Sequence, residues 1–359
     1  MVKKQSRKHG NTKTRKHEIF QDFFRAFVFS YFKISFFFSI KVDLRFFATG
    51  LSGLGTLMTN QTNRIVFEKP DLQKLIRQNT VVDMHFHSIY SDGRNRVDEI
   101  VEYAAMLGIG VAITDHNAIQ GSVEIDAYDH VLSIPGIEVT SREGTHLLVY
   151  FDDIENLCRF YDKDVAPYMG REVMSSIDLP MEDIIGCAKK LGAVTIFPHP
   201  YCGIYTGIAN HHFEKKHLNE LFVLVDGVEV INSENLNKWN LKSALLGFNL
   251  NKAIMGGSDG HSLYQMGRVV TYAACGNDQR AFLSAVKNGQ NKVVGKEIDI
   301  LRKVQSSGIK LRSNLKNYPD IMEKNFSYGR KVIHIKSKTF RDRVKTRISD
   351  RIQNRKRYR

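Results

Sequence analysis

The run Asp83-Met84-His85-Phe86-His87 is typical of a short strand, and it decides how the rest of the chain is interpreted. Side chains of an extended strand alternate between two faces, so Asp83, His85 and His87 would share one face. Met84 and Phe86, with the valine before Asp83, would point the other way into an apolar layer. Two imidazoles two residues apart at a strand end can bind one metal ion together, which predicts further ligands elsewhere in the chain.

Ligand-type side chains recur along the chain, and most of them follow a short apolar segment. Thr114-Asp115-His116 follows Val111-Ala112-Ile113, and Pro198-His199-Pro200 closes Val194-Thr195-Ile196-Phe197. The carboxyl ends of strands are where βα-barrels hold their functional groups. Six of the thirteen histidines belong to the resulting set of candidate metal ligands, which is His85, His87, Asp92, His116, Glu138, His146, His199, Asp259 and His261.

The donor types limit the metal. Imidazole and carboxylate without thiolate favour Zn, Mn or Fe. One ion takes three or four protein ligands, so nine candidates exceed the needs of a single ion. They fit two or three divalent ions that share a bridging carboxylate.

The order, type and spacing of these motifs resemble the PHP (polymerase and histidinol phosphatase) family, from about Val81 to about Gly295. The shared motifs are the His-x-His opening, the Ser-Asp-Gly turn, Thr-Asp-His, Gly-Ile-Glu, the histidine before Leu-Leu, His-Pro and the closing Ser-Asp-Gly-His. Each motif alone is a weak signal, whereas the ordered set is specific. The resemblance implies an α/β fold, in the form of a distorted (β/α)7 barrel, and a metal-dependent phosphoesterase.

The resemblance also divides the nine candidate ligands among three ions, with Glu138 shared between two of them. No ligand position is lost, which argues against a degenerate relative without metal. The implied groups are His85, His87, Glu138 and Asp259 for the first ion, Glu138, His146 and His199 for the second, and Asp92, His116 and His261 for the third.

Five other polar side chains are candidates for supporting roles. Asp115 is a candidate catalytic residue that orients a ligand histidine, or else it caps a turn or helix. Arg268 and Arg94 are candidate phosphate clamps, with a plain surface charge as the alternative. Asp83 and Glu229 would lie toward the interior of the fold, where Glu229 would accept hydrogen bonds from neighbouring ligands.

The segments between the motifs have helical periodicity, and several of them end at glycine. Alternation of strands with helices predicts a parallel sheet. The predicted helices are 97–107, 181–191, 236–248 and 278–288. The four cysteines are scattered without a Cys-x-x-Cys motif, which is typical of reduced thiols in a cytoplasmic protein.

Positive charge is concentrated at the two ends of the chain. The net charge is +14, with +7 in residues 1–17 and +11 in residues 330–359, so residues 18–329 are mildly acidic. Such runs are usually solvated arms, but they also suit nucleic acid or the lipid headgroups of the inner membrane face. An apolar stripe in the C-terminal arm predicts a helix that docks on the barrel, stays free or contacts a membrane, and its residues are Phe340, Val344, Ile348 and Ile352.

Three regions are predicted from these patterns. Residues 1–57 form a basic, Phe-rich extension that is either an interfacial helix or an upstream extension before a start at Met58. Charged residues interrupt its apolar stretches, which argues against a membrane-spanning helix and a signal peptide. Residues 78–297 form the PHP-like domain, and residues 298–359 form the basic C-terminal extension.

Two functions are consistent with the sequence. The first is a phosphoesterase that uses a metal-activated hydroxide on a small phosphorylated metabolite or nucleotide. His199 is only 53 positions after His146, which leaves little room for a large cap over the site. The alternative is an accessory module in which the barrel is a scaffold and the basic arms bind nucleic acid or membrane.

Overall fold

The computed structural model describes residues 64–203, 206–209 and 213–298, together with Arg330. The predicted N-terminal extension lies outside the described residues, as does the predicted C-terminal extension apart from Ile298 and Arg330. Within the described ranges, no helix is both long enough and apolar enough to cross a membrane.

Strands of the described residues form two five-stranded sheets. The first sheet has the order β1-β10-β9-β2-β3, with the bounds Ile65–Val66, Lys292–Gly295, Val269–Ala273, Thr80–Phe86 and Gly110–Ile113. The second sheet has the order β4-β5-β6-β7-β8, with the bounds Gly136–Thr140, His146–Tyr150, Val194–Phe197, Gly227–Asn232 and Ala253–Gly257.

Isolated bridges join the two sheets at two places. On one side, His116 after β3 pairs with Glu138 of β4. On the other side, Phe86 of β2 pairs with Gly260 after β8. The chain is therefore an α/β protein in which the ends of β2, β3, β4 and β8 lie close together. β1 precedes residue 78, where the domain was predicted to begin, and pairs with β10.

The prediction of a parallel sheet holds for some pairs and is wrong for others. β2–β3, β6–β7 and β7–β8 are parallel, whereas β5 is antiparallel to both β4 and β6. Only residues 141–145 separate β4 from β5, and so short a connection permits a hairpin but no helical crossover. β9 is antiparallel to β2 and β10.

Helices follow most strands, and the four predicted from periodicity are present with bounds shifted by at most two residues. Gly108 ends the second helix in the left-handed conformation, at φ 70°, as its glycine predicts. The helices α1 to α8 are Leu72–Leu75, Val97–Leu107, Gln120–Ile125, Ile154–Phe160, Met181–Lys190, Lys215–Leu224, Asn237–Leu250 and Gln279–Lys287.

The apolar side of β2 is buried as predicted, and it is divided between two parts of the core. Met84 packs in a cluster with Ile196 and Met255. Phe86 packs instead with Val97 and other residues near α2. The register of β2 against β3 shifts between Asp83 and Phe86, which breaks the simple alternation of faces.

Gly257 of β8 is expected to tolerate no side chain because β2 passes close to it. A Cβ atom there would lie 2.4 Å from His85 Cβ and 2.6 Å from His85 N. We expect Gly257→Ala to lower the free energy of unfolding by about 1–3 kcal/mol. Thermal unfolding should show a fall in Tm, since roughly 2–4 °C accompany each kcal/mol in a domain of this size.

Gly186 of α5 supplies the matched control, because a Cβ there has nothing within 4 Å. Gly186→Ala should raise the free energy of unfolding by about 0.4–1 kcal/mol, since alanine restricts the unfolded chain. Equal Tm shifts in the two variants would contradict the proposed closeness of β8 and β2.

Candidate metal centre

The structure brings all nine candidate ligands to one end of the two sheets. Carboxyl ends of neighbouring parallel strands lie at the same edge, and the antiparallel β5 presents its first residue, His146, at that edge. His146 and Asp259 are partly exposed. The other seven are buried, and they are His85, His87, Asp92, His116, Glu138, His199 and His261.

Three side chains of this set, His85, His87 and Glu138, are close enough together to hold one ion, and Asp259 lies beside the two histidines. Nε2 of His85 lies 3.4 Å from Glu138 Oε2 and 3.7 Å from Asp259 Oδ1. Nε2 of His87 lies 3.5 Å and 3.3 Å from the same two oxygens, and the two Nε2 atoms are 3.2 Å apart. Ligands about 2.1 Å from a tetrahedral ion are about 3.4 Å apart, so these spacings suit a metal ion.

The other oxygen of Glu138 faces a second group. Glu138 Oε1 lies 2.8 Å from Nδ1 of His146 and 3.2 Å from Nε2 of His199. One carboxylate therefore presents one oxygen to each of two neighbouring groups. This is the arrangement that a carboxylate bridging two ions requires.

A third group lies around Asp92. Asp92 Oδ1 is 3.0 Å from His261 Nε2 and 3.8 Å from His116 Nε2. His87 also reaches it, with Nδ1 3.8 Å from the same oxygen. The groups are thus not separate, because His116 Nδ1 lies 3.0 Å from Glu138 Oε2 and His87 faces both the first and the third groups.

Several buried polar atoms of the cluster have no hydrogen bond among the residues that the structure describes. A buried donor or acceptor left without a partner is unfavourable by about 1–3 kcal/mol. A divalent cation would satisfy such acceptors, so the residues present fit a metal. The atoms are Asp92 Oδ1, Glu138 Oε2, His116 Nδ1, His199 Nδ1 and His261 Nε2.

The electrostatics of the cluster favour bound positive charge. Burial alone would raise the pKa of Glu138, but neighbouring histidines, His146 and His116 first, hold it well below its usual range. Burial alone would lower the pKa of His85, but the carboxylates of Asp259 and Glu138 raise it well above its usual range. Burial, the largest effect on His116, lowers its pKa to about 3.

Asp115 supports the loop after β2. Its carboxylate accepts hydrogen bonds from the N–H and the Oγ of Ser88, at 2.8 and 2.6 Å, and from Ser91 Oγ at 2.6 Å. Ser91 Oγ also lies 3.4 Å from Nδ1 of His87. Asp115 therefore reaches a candidate ligand through Ser91, and its role in catalysis stays a prediction.

The two arginines lie outside the cluster. Arg268 is half-buried, and its Nε donates to the main-chain oxygen of Tyr264 at 3.0 Å. Arg94 is exposed, and its main-chain N–H donates to the oxygen of His261 at 3.0 Å. Within the described residues neither guanidinium forms an ion pair. The phosphate-clamp role of Arg268 and Arg94 stays a prediction.

Asp83 and Glu229 are buried beside the cluster, as expected. Asp83 accepts hydrogen bonds from the N–H groups of Ser258 and Gly267, at 2.8 and 2.9 Å, and burial raises its pKa to about 6. Glu229 Oε1 lies 3.1 Å from Nδ1 of His85. Asp83 therefore fixes the loops after β8, whereas Glu229 contacts a candidate ligand directly.

Asn232 is a residue of the site that the sequence reasoning missed. It is buried, and its Nδ2 donates to Glu229 Oε2 at 2.9 Å and to Asp259 Oδ2 at 3.3 Å. Its position at the end of β7 is the signal that could have found it, since His199 and Asp259 also lie just after the carboxyl ends of their strands.

The chain matches two protein families in tandem. Residues 83–227 match the PHP domain, and residues 237–291 match the PHP-associated family. The resemblance seen in the sequence motifs is therefore confirmed. An uncharacterized protein of Methanocaldococcus jannaschii is 29% identical over 166 residues, which span 42% of this chain and 81% of that protein.

Two solved structures are similar to this chain. The lesion-specific endonuclease PfuEndoQ from Pyrococcus furiosus aligns with a TM-score of 0.50 and 19% identity, over 60% of this chain and 57% of that one. The second is a two-domain protein from Bacteroides vulgatus that contains a predicted PHP-like metal-dependent phosphoesterase. It aligns with a TM-score of 0.46 and 20% identity, over 66% of this chain and 72% of that one. At 19% identity the alignment with PfuEndoQ shows a shared fold.

Proposed function

We propose that this chain, which carries a PHP domain followed by a PHP-associated domain, is a metal-dependent phosphoesterase with a multinuclear site. One observation carries the proposal. The two oxygens of Glu138 face different groups of histidines, and Glu138 with His85 and His87 has the spacing of ligands around an ion.

In this proposal each group of side chains has a distinct part. Bound Zn, Mn or Fe would lower the pKa of a coordinated water and offset the charge of a phosphate oxygen. Glu138 holds the first and second groups at a fixed separation. Asp92, His116 and His261 form the third group, which completes a trinuclear site. Ser91 and Asp115 keep His87 in place between the first and third groups.

We propose a small phosphorylated metabolite or a nucleotide as the substrate. Residues 151–193, between β5 and β6, support this choice, because they leave little room for a large cap over the described part of the site. PfuEndoQ, which shares the fold, is named as a lesion-specific endonuclease. Of the two proposed kinds of substrate, a nucleotide is therefore the one to test first. The binding of nucleic acid or membrane by the basic arms, with the barrel as a scaffold, stays a prediction.

We also propose that β2 to β8 form the distorted seven-unit barrel expected from the sequence. The isolated bridges support this arrangement. They join β4 to the residues after β3 and join β2 to the residues after β8, so that each of the seven strands has a neighbour on both sides.

Purified protein supplied with Mn, Zn or Fe is expected to hold the metal and to hydrolyse an aryl phosphate. His85→Ala should lower kcat at least about 100-fold, because loss of a ligand should cost more activity than the loss of a residue that only hydrogen-bonds to a ligand. His130→Ala is the matched control, because His130 is exposed and lies outside the cluster. The proposed phosphoesterase activity would be refuted if the purified protein held no metal and if His85→Ala and His130→Ala hydrolysed the aryl phosphate at the same rate.

A further inference from the structure

Glu229 and Asn232 of β7 connect three of the candidate ligands. Glu229 Oε1 lies 3.1 Å from Nδ1 of His85, and Glu229 Oε2 accepts the N–H of His199 at 2.7 Å. Asn232 Nδ2 donates to Glu229 Oε2 at 2.9 Å and to Asp259 Oδ2 at 3.3 Å. The pair therefore reaches the first and the second groups at the same time.

An irregularity in β7 places both side chains on the same side. Residues three apart in a regular strand point to opposite faces. The register of β7 against β8 shifts between Glu229 and Ile231, and the extra residue, Val230, restores a common direction. Asn240 of α7 then fixes the end of the strand, because its side chain bonds to both the N–H and the oxygen of Asn232, at 3.2 and 2.9 Å.

Two of the ligands that this pair contacts have a backbone in the left-handed region. His199 has φ 30° and Asp259 has φ 52°. A non-glycine residue in this region is unfavourable by about 1–3 kcal/mol and persists only where the surroundings hold it. His199 also precedes Pro200, which further restricts its backbone. The main-chain N–H of His199 is held by Glu229, and the carboxylate of Asp259 is held by Asn232.

We infer that Glu229 and Asn232 are positioning residues that hold His199 and Asp259 in their left-handed conformations. Glu229 also orients the imidazole of His85, because its carboxylate contacts Nδ1 and turns Nε2 toward the first group. This inference rests on the proposed metal site. It adds that the first and second groups share one buried hydrogen-bonded support.

The test compares Asn232→Ala with Asn291→Ala. Asn291 is equally buried and makes two side-chain hydrogen bonds, to the Ile254 oxygen at 2.7 Å and from Arg64 Nη2 at 3.0 Å, but it lies away from the cluster. Both substitutions should lower Tm. Only Asn232→Ala should speed the release of bound Mn or Zn to a chelator, by about 10–100-fold.

A crystal structure of the metal-free Asn232→Ala variant gives a readout that does not depend on metal. We expect Asp259 to leave positive φ, while His199, still held by Glu229, keeps its conformation. Metal release at the wild-type rate with Asp259 still at positive φ would overturn the inference and leave the phosphoesterase standing. If the wild-type protein binds neither Mn nor Zn, the proposed function fails. The φ angle of Asp259 in the Asn232→Ala structure then still tests whether Asn232 holds the backbone of Asp259.

Discussion

Glu138→Gln is expected to lower kcat for phosphate-ester hydrolysis at least about 100-fold, and to lower the amount of metal bound. The glutamine keeps the shape of the side chain but presents one neutral oxygen and an amide nitrogen that cannot coordinate a cation. Glu138 uses one oxygen toward His85 and His87 and the other toward His146 and His199. Whichever way the amide turns, one of the two groups loses the oxygen that it shared. The fall in kcat should therefore exceed the roughly 10–100-fold that is typical when a hydrogen-bond partner of a metal ligand is removed.

Glu143→Gln is the matched control for this prediction. Glu143 lies in the turn of the same hairpin, and its carboxylate accepts the N–H of Met181 at 3.2 Å, away from the cluster. The substitution makes the same change of charge and shape, so kcat and metal content should stay near the wild-type values. Metal content from elemental analysis and kcat from a phosphate-release assay are measured together. Equal losses in both variants would mean that Glu138 has no special part in the site.

Most of the candidate ligands were predictable because they lie at or soon after a strand end in a recognisable local motif, although Glu138 lies within β4. His85 lies on β2 and His87 directly follows it, and the carboxyl ends of neighbouring parallel strands gather at one edge. The sequence therefore indicated the cluster without knowledge of the strand order. It did not indicate that His87 faces both the first and the third groups, because that depends on where Asp92 and Asp259, which follow different strands, come to lie.

The antiparallel β5 and the part played by Asn232 were harder to predict. A hairpin between β4 and β5 follows from the short connection, but strand–helix alternation elsewhere in the chain favoured parallel pairing. Asn232 lies three residues after Glu229, and only the extra residue in β7 turns both side chains the same way. The position of a β-bulge depends on how two strands pair, and this pairing cannot be derived from a single sequence.

Removal of the metal is expected to lower the Tm of the protein by about 5–11 °C. An ion that binds only the folded state, at 100 times its Kd, adds about 2.7 kcal/mol to the free energy of unfolding. Each kcal/mol corresponds to roughly 2–4 °C in a domain of this size. The physical reason lies in the buried atoms Glu138 Oε2 and Asp92 Oδ1, which have no hydrogen bond among the described residues and which a cation would satisfy.

The measurement is thermal unfolding at a series of free Mn or Zn concentrations, with ionic strength held constant by a monovalent salt. Tm should rise with the logarithm of the metal concentration once the site begins to fill, because the stabilisation follows RT ln(1 + [L]/Kd). The Glu138→Gln variant should respond less, since one group has lost its shared oxygen, whereas Glu143→Gln should respond like the wild-type protein. A Tm that rises equally in the wild-type protein and in Glu138→Gln would place the stabilising ion elsewhere on the chain and would separate it from the candidate centre.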